Sequence, residues 1–246
     1  MEPKVHALTK ILAPPKQSRE ISIAIVSTLA TLLLSSSLAL AQSKCFGTPE
    51  NGRLENGVSL PATGKNFEVY YWLGHFIGRA YVHEDVHKVT VKAFEDLAEF
   101  NAELKFVYGE TGWKNGGSFK PHKTHRNGTS VDFMVPVRNE YGKSVPLPCS
   151  LFNKFCYNIE FDSSGKYNGY KIDFDAIHAH LERLLARAKQ AGIGIRRIIF
   201  DPDLTKHLKE SEAWTKTPLT VEFSPHKPWV RHDEHYHIDF DVPCEP

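Results

Sequence analysis

Histidines are concentrated in two short windows of the sequence. Of the 13 histidines, two lie at positions 122 and 125, and four lie at positions 226, 232, 235 and 237. Imidazole nitrogens are common ligands of zinc, so this clustering suggests a metal ion. His235 and His237 are two residues apart, so in a β-strand their side chains would point to the same face.

Asp132 follows His125 by seven residues. In a helix this spacing would separate the two by about 10 Å along the axis, which is too far for one zinc ion with bonds of about 2.0 to 2.2 Å. Asn127 and Gly128 break such a helix and let the chain turn from a loop into a strand. His125 and Asp132 can then reach the same ion.

Two histidines and one carboxylate, with the fourth position open, are typical of catalytic zinc, because structural sites usually use four ligands that include cysteine. A water in the open position would be the reagent, since zinc lowers its pKa toward neutrality and polarises a carbonyl. The sequence contains no Gly-x-Ser-x-Gly motif that would favour a serine hydrolase.

The elements that carry these residues can be predicted from the sequence pattern. Glu110–Asn127 is polar and rich in glycine, which predicts a long loop of the kind that often carries function. Thr129–Val135 is predicted to be a strand, whose alternation places Asp132 on the face opposite Val131 and Phe133. His235–Val242 is predicted to be the last strand.

The rest of the sequence mixes predicted helices and strands without strict alternation. Further strands are predicted at Phe67–Trp72, Lys105–Tyr108 and Ile193–Phe200, and helices at Val86–Leu104, Asp173–Ala191 and Asp203–Glu210. The segment Gly47–Gly64 is predicted to form turns rather than a regular element. These elements favour an α+β fold: a single compact domain with a central, mostly antiparallel sheet flanked by helices, after an N-terminal export segment.

Residues 1–41 are predicted to be that export segment. Lysines and an arginine precede the apolar residues 21–40, which end in Ala39-Leu40-Ala41. The segment is either a signal peptide cut before Gln42 or a retained membrane anchor, and both place residues 42–246 outside the cytoplasm. The net charge of +1 and the scattered lysines and arginines argue against a nucleic-acid partner.

All four cysteines lie after the predicted cut, in a compartment where an even number predicts two disulfides. Three connectivities are open. A bond between Cys149 and Cys156 would close a short loop, and Cys45 with Cys244 would then join the two ends of the domain. Paired cysteines make a thiol catalyst improbable.

The segment His125-Arg-Asn-Gly-Thr-Ser-Val-Asp132, followed by His235-Tyr-His237, resembles the signature of the peptidases grouped with lysostaphin, the D-alanyl-D-alanine peptidases and sonic hedgehog. Within that group the sequence is most similar to the penicillin-insensitive murein endopeptidases. The shared pattern includes His122, His232 and the opening Gly47-Thr-Pro-Glu50. It covers most of residues 42–246, and it is weak between positions 137 and 172.

This resemblance implies a zinc metallopeptidase domain at residues 42–246. It implies that His125, Asp132 and His237 bind Zn²⁺, that His235 and His232 act as base or transition-state stabilisers, and that His122 lies at the rim of the site. The implied substrate is the cross-link peptide of peptidoglycan, cut between D-alanine and diaminopimelate or between two diaminopimelates. The implied location is the periplasm, with inner-membrane anchoring by residues 21–41 and association with envelope-spanning machinery left open.

Two other functions fit the same residues. A carboxypeptidase would act on the same muropeptides, and a catalytically inactive zinc-containing module would only bind the cell wall, although His232 and His235 argue against the second. Asp239 shares the strand face of His235 and His237 and could orient a ligand. His178 and His180 are expected on a solvated or partly buried face of a helix, and Trp229 is expected to pack rather than bind substrate.

Overall fold

Thirteen strands and five α-helices lie in the part of the chain that the computed structural model describes, residues 41–225 and 230–246. The strands are β1 Lys44–Thr48, β2 Asn51–Glu55, β3 Val58–Ser59, β4 Phe67–Val69, β5 Tyr81–Val82, β6 Phe106–Tyr108, β7 Ser130–Met134, β8 Val137–Arg138, β9 Ser144–Val145, β10 Lys166–Tyr167, β11 Tyr170–Ile172, β12 Gly194–Ile199 and β13 His235–Asp241. The helices are α1 Trp72–Phe76, α2 Glu84–Phe100, α3 Phe174–Gln190, α4 Pro202–Glu210 and α5 Glu212–Lys216.

A five-stranded sheet with the order β12-β13-β7-β6-β4 forms the centre of the fold. Its pairs are antiparallel except for β4 with β6, which is parallel. The register of β13 on β7 sets His237 opposite Asp132 and His235 opposite Met134. Opposite residues of an antiparallel pair share a face, so this register brings a predicted ligand from each strand into contact.

Helices α2 and α3 pack against each other and cover one face of this sheet. Both were predicted from their apolar spacing, and α3 begins where expected, because the Asp173 carboxylate accepts a hydrogen bond from the backbone N–H of Ala176 at 3.1 Å. Residues 42–246 form one compact unit. The α+β fold and the mostly antiparallel central sheet are therefore confirmed.

Several local predictions were wrong. The segment expected to form only turns contains a hairpin, β1 with β2, whose ends are bridged by the Thr48–Asn51 turn. The strand expected at Phe67–Trp72 ends at Val69, and after Tyr70, whose backbone N–H still bonds to the carbonyl of Tyr108, the chain turns into α1.

His178 and His180 are both buried, contrary to the solvated or partly buried face that was expected. Helix α3 is covered on several sides, by α2, α4 and α5. A helix packed on several neighbours buries more of its circumference than an amphipathic pattern indicates.

Both favoured disulfides are formed, Cys45 with Cys244 and Cys149 with Cys156. The predicted export segment lies outside the described residues except for Ala41, as do His226 and Trp229. Among the helices of the described residues, none is long and apolar enough to cross a membrane.

Candidate metal centre and active site

The loop before β7 brings His125 to the predicted site in a constrained conformation. His125 has a left-handed φ of 66°, and Gly128 follows with a φ of 77°, so the chain reverses before the strand that carries Asp132. This reversal is the one that Asn127 and Gly128 predicted. Both His125 and Asp132 are fully buried.

The hydrogen bonds of His125 fix which nitrogen faces Asp132. Nδ1 lies 3.0 Å from the carbonyl oxygen of Thr111, and because a carbonyl only accepts, Nδ1 carries the proton. Burial lowers the pKa of His125, so the ring is neutral and its Nε2 presents a lone pair. That lone pair lies 3.2 Å from Asp132 Oδ1, and within the described residues Nε2 has no hydrogen-bond partner.

Two acceptors that face each other in a dry interior repel unless a cation lies between them. Burial would raise the pKa of Asp132, but the neighbouring imidazoles of His235 and His237 hold that pKa well below its usual range. The carboxylate is therefore ionised. An anion and a neutral imidazole lone pair at this distance match the donor set of a bound divalent metal.

His237 lies between two carboxylates. Its Nδ1 is 2.8 Å from Asp132 Oδ1, and its Nε2 is 2.8 Å from Asp239 Oδ1. Burial disfavours a charged His237, but Asp239 and Asp132 outweigh burial and raise its pKa to about 10. A proton on Nδ1 therefore occupies the position that a metal would take.

Asp239 is itself held in place. It accepts a hydrogen bond from Ser130 Oγ at 2.6 Å and from Arg197 Nε at 2.9 Å, and Arg197 also pairs with Glu50. A carboxylate that fixes the second nitrogen of a histidine is the usual outer partner of a metal ligand. The geometry agrees with the orienting role that the shared strand face suggested for Asp239.

His235 and His232 lie beside these groups. His235 Nδ1 bonds to Glu234 at 2.9 Å, which leaves Nε2 facing Asp132 Oδ1 at 3.7 Å. Burial opposes protonation of His235, but Asp132 and Glu234 raise its pKa. His232 packs on His235 with ring centroids 4.6 Å apart, and burial lowers its pKa to about 3.

His122 reaches the same cluster from the loop. Its Nε2 lies 2.6 Å from Glu110 Oε2, and its Nδ1 lies 3.9 Å from Asp132 Oδ2. Donor atoms of His122, His125 and Asp132 all lie within 4.8 Å of one another, so this trio could also hold a metal. His237 competes with His122 for the third position, and it lies closer to Asp132, at 2.8 Å against 3.9 Å.

Three groups in the site were not predicted from the sequence. The hydroxyl of Tyr157 donates to Asp132 Oδ2 at 2.8 Å, and burial and the charge of Asp132 raise its pKa well above the usual value. Gly109 permits this approach, since a Cβ there would lie 2.6 Å from the Tyr157 hydroxyl. Glu110 accepts from Tyr70 at 2.6 Å and from Arg79 Nη2 at 2.7 Å.

A cavity of about 380 Å³ opens onto this cluster. Its lining includes the imidazoles of His122, His232, His235 and His237, the ring of Tyr157 and two lysines, Lys123 and Lys154. The structure therefore brings all six predicted site residues to one place beside an open cavity.

Comparison with known proteins agrees with this architecture. A search of curated proteins finds no match to the chain. A family model described as penicillin-insensitive murein endopeptidase matches residues 45–246, which span both disulfides and every element from β2 to β13. The chain thus belongs to the penicillin-insensitive murein endopeptidases, a family of cell-wall peptidases.

Proposed function

We propose that this protein is a zinc-dependent murein endopeptidase that hydrolyses cross-link peptides, at D-alanine to diaminopimelate or diaminopimelate to diaminopimelate bonds. Family membership supports the endopeptidase activity. The observation that supports the metal is the unpartnered lone pair of His125 Nε2, aimed at the ionised Asp132 at 3.2 Å.

The proposed ligands are His125 Nε2, Asp132 Oδ1 and His237 Nδ1. Ligands of a tetrahedral ion with bonds near 2.0 to 2.1 Å lie about 3.4 Å apart, so the separation of 3.2 Å between His125 and Asp132 needs almost no adjustment. Asp132 Oδ1 and His237 Nδ1 lie 2.8 Å apart. These two atoms must separate slightly if a metal replaces the proton between them. Two imidazoles and one carboxylate favour zinc over magnesium or calcium, which prefer oxygen ligands.

Zinc in this position supplies a Lewis acid that polarises the scissile carbonyl and acidifies the attacking water. His235 is the proposed general base, because its Nε2 faces the centre and Asp132 and Glu234 raise its pKa. Glu234, bonded to Nδ1 at 2.9 Å, stabilises the imidazolium that forms when His235 takes the proton.

His232 has a different proposed role. Its Nδ1 bonds to the Val230 carbonyl at 2.7 Å, so its Nε2 is an acceptor, and a pKa of about 3 makes it a poor base. We assign it to holding an N–H of the substrate peptide in the transition state. His122, tied to Glu110 at 2.6 Å, is assigned to the rim of the cavity.

The proposed partner is peptidoglycan and the proposed location is the periplasm, because the substrate and two disulfides both require a site outside the cytoplasm. Inner-membrane anchoring through residues 21–41 and work beside an envelope-spanning machine are extensions of this proposal.

The test is incubation of the purified protein with isolated peptidoglycan, followed by mass spectrometry of the released muropeptides. We expect cross-linked dimers to become monomers, no cleavage after metal removal by a chelator, and recovery with added zinc. Loss of terminal D-alanine with intact dimers would indicate a carboxypeptidase, and binding without cleavage would indicate an inactive module. Full cleavage by protein verified to be metal-free would overturn the zinc mechanism.

A further inference from the structure

The short disulfide loop carries three consecutive residues in the left-handed region. Lys154, Phe155 and Cys156 have φ values of 49°, 58° and 80°, and none of them is glycine. L-residues rarely adopt this conformation, and a run of them persists only where the surroundings over-determine it. Such strain is often found at functional sites.

The loop is held by contacts that do not involve Lys154's side chain. Asn153 Oδ1 accepts from the backbone N–H groups of Ser150 and Cys156, both at 2.8 Å. Phe155 stacks on Tyr71 with ring centroids 3.6 Å apart, and Cys156 is bonded to Cys149. The backbone from which Lys154 projects is therefore fixed.

Lys154 lines the cavity together with His232 and His235. It is exposed, and within residues 41–225 and 230–246 its ammonium group forms no ion pair or hydrogen bond. Glu234 also lines the cavity, but it is buried and already bonded to His235. The cavity thus holds an ammonium group whose charge no described carboxylate neutralises.

We propose that Lys154 is a substrate subsite that binds a carboxylate of the cross-link peptide next to the scissile bond. The identity of the substrate rests on the proposed function, under which diaminopimelate supplies free carboxylates on either side of the cut. A lysine on a rigid backbone loses less freedom on binding than one on a mobile loop. The rigid turn holds the Lys154 backbone at the cavity that the proposed base, His235, also lines.

The experiment compares two synthetic muropeptide dimers that differ only in the diaminopimelate beside the scissile bond, as a free carboxylate or as a carboxamide. The variants are Lys154→Met, Lys154→Arg and, as a matched control, Lys143→Met, which removes another exposed lysine at a distance from the cavity. Cleavage kinetics and the dissociation constant of each dimer are both measured.

We expect the wild-type protein to prefer the carboxylate dimer by about tenfold, the scale of one charge-assisted hydrogen bond. Lys154→Met should erase that preference through KM with kcat almost unchanged, Lys154→Arg should restore most of it, and Lys143→Met should keep it. Equal losses on both dimers would show a merely structural role and overturn the proposal, as would a preference that survives Lys154→Met. If the wild-type protein binds both dimers but cleaves neither, the proposed function fails, and the dissociation constants still decide the subsite.

Discussion

The two faces of the β7–β13 pair make opposite use of buried histidine. On one face, His237 lies between Asp132 and Asp239, and these carboxylates raise its pKa to about 10. On the other face, His180 from α3 packs on Phe133 with ring centroids 4.7 Å apart, and burial lowers its pKa to about 3.

Both imidazoles are essentially inaccessible to solvent, at 2% and 0% exposure for His237 and His180, so burial alone cannot explain the difference. Desolvation disfavours the charged form in both places, and only the face with two carboxylates repays that cost. One face has become an electrostatic site that favours positive charge, and the other remains ordinary core.

The largest effect is expected from removing a ligand on the charged face. His125→Ala, Asp132→Ala and His237→Ala should each lose zinc and activity, since three protein ligands leave none to spare. His235→Ala should keep the metal while turnover falls by roughly 10² to 10⁴, and His232→Ala should lose less. The measurement is zinc per chain beside muropeptide release.

His122→Ala completes this series. It should keep the metal if His237 is the third ligand, and it should lose the metal if the trio of His122, His125 and Asp132 holds the ion. A metallated His237→Ala protein together with an empty His235→Ala protein would reverse the ligand assignment within the pair.

A smaller effect is expected from weakening the hydrogen bond that orients His237 without removing a ligand. Asp239→Asn keeps the shape but weakens the orientation of His237, and such outer partners are typically worth about 10- to 100-fold in metal affinity or activity. Asp241→Asn, on the same strand but exposed, is the matched control. Competition with a chelator of known affinity measures both, and equal affinities for the two variants would contradict the role given to Asp239.

Proton competition gives a third test of the same face. The folded-state pKa of His237 lies above that of an unfolded imidazole, so its protonation stabilises the metal-free protein fully below about pH 6.5, and that contribution is lost as pH rises toward 10. Zinc must displace this proton, so its apparent affinity should rise by up to about tenfold per pH unit, and activity should decline below about pH 6. An affinity that stays flat between pH 6 and pH 8, after correction for the chelator, would refute this.

The smallest effect on activity is expected from a substitution on the other face of the strand pair, at His180. His180→Phe should leave cleavage at pH 7 within about twofold, and it should lower stability by about 1 kcal/mol, because Tyr236 loses its partner. The folded-state pKa of His180 is depressed, so the wild-type protein loses up to ~1.4 kcal/mol of stability per pH unit as pH falls from about 6.5 toward 3. The free energy of unfolding of both proteins is measured with urea at pH 7 and pH 5. Between these pH values the wild-type protein should lose more stability than the variant. An unchanged difference would show that His180 does not carry this acid sensitivity.

The sequence predicted the site where local rules apply. Spacing and the break at Asn127 and Gly128 were enough to bring His125 and Asp132 together, and strand alternation was enough to place His235 and His237 on one face, since each rule concerns near neighbours along the chain. The assignment within His235 and His237 came from the resemblance, because spacing treats both residues alike.

Tyr157 and Glu110 could not be found in this way. Tyr157 donates a hydrogen bond to Asp132, which lies 25 positions away in the sequence. Its approach depends on a disulfide loop with three non-glycine residues at positive φ, which residue propensities do not predict. Glu110 follows a short strand in a polar loop, where its sequence context resembles that of any solvated carboxylate. The hairpin at β1 and β2 was missed for a related reason, since glycine, proline and asparagine dominate its turn and mask the pairing of its arms.

The bond between Cys45 and Cys244, 199 positions apart, makes the folded domain a covalent ring. A single peptide-bond cut in a surface loop between these cysteines would open that ring without releasing a fragment. The two ends of the domain would also stay joined to each other. One nick would then leave the domain in one piece, and two cuts would be needed to release a fragment. On a non-reducing gel, a singly cut chain should stay in one band and separate into two only after reduction.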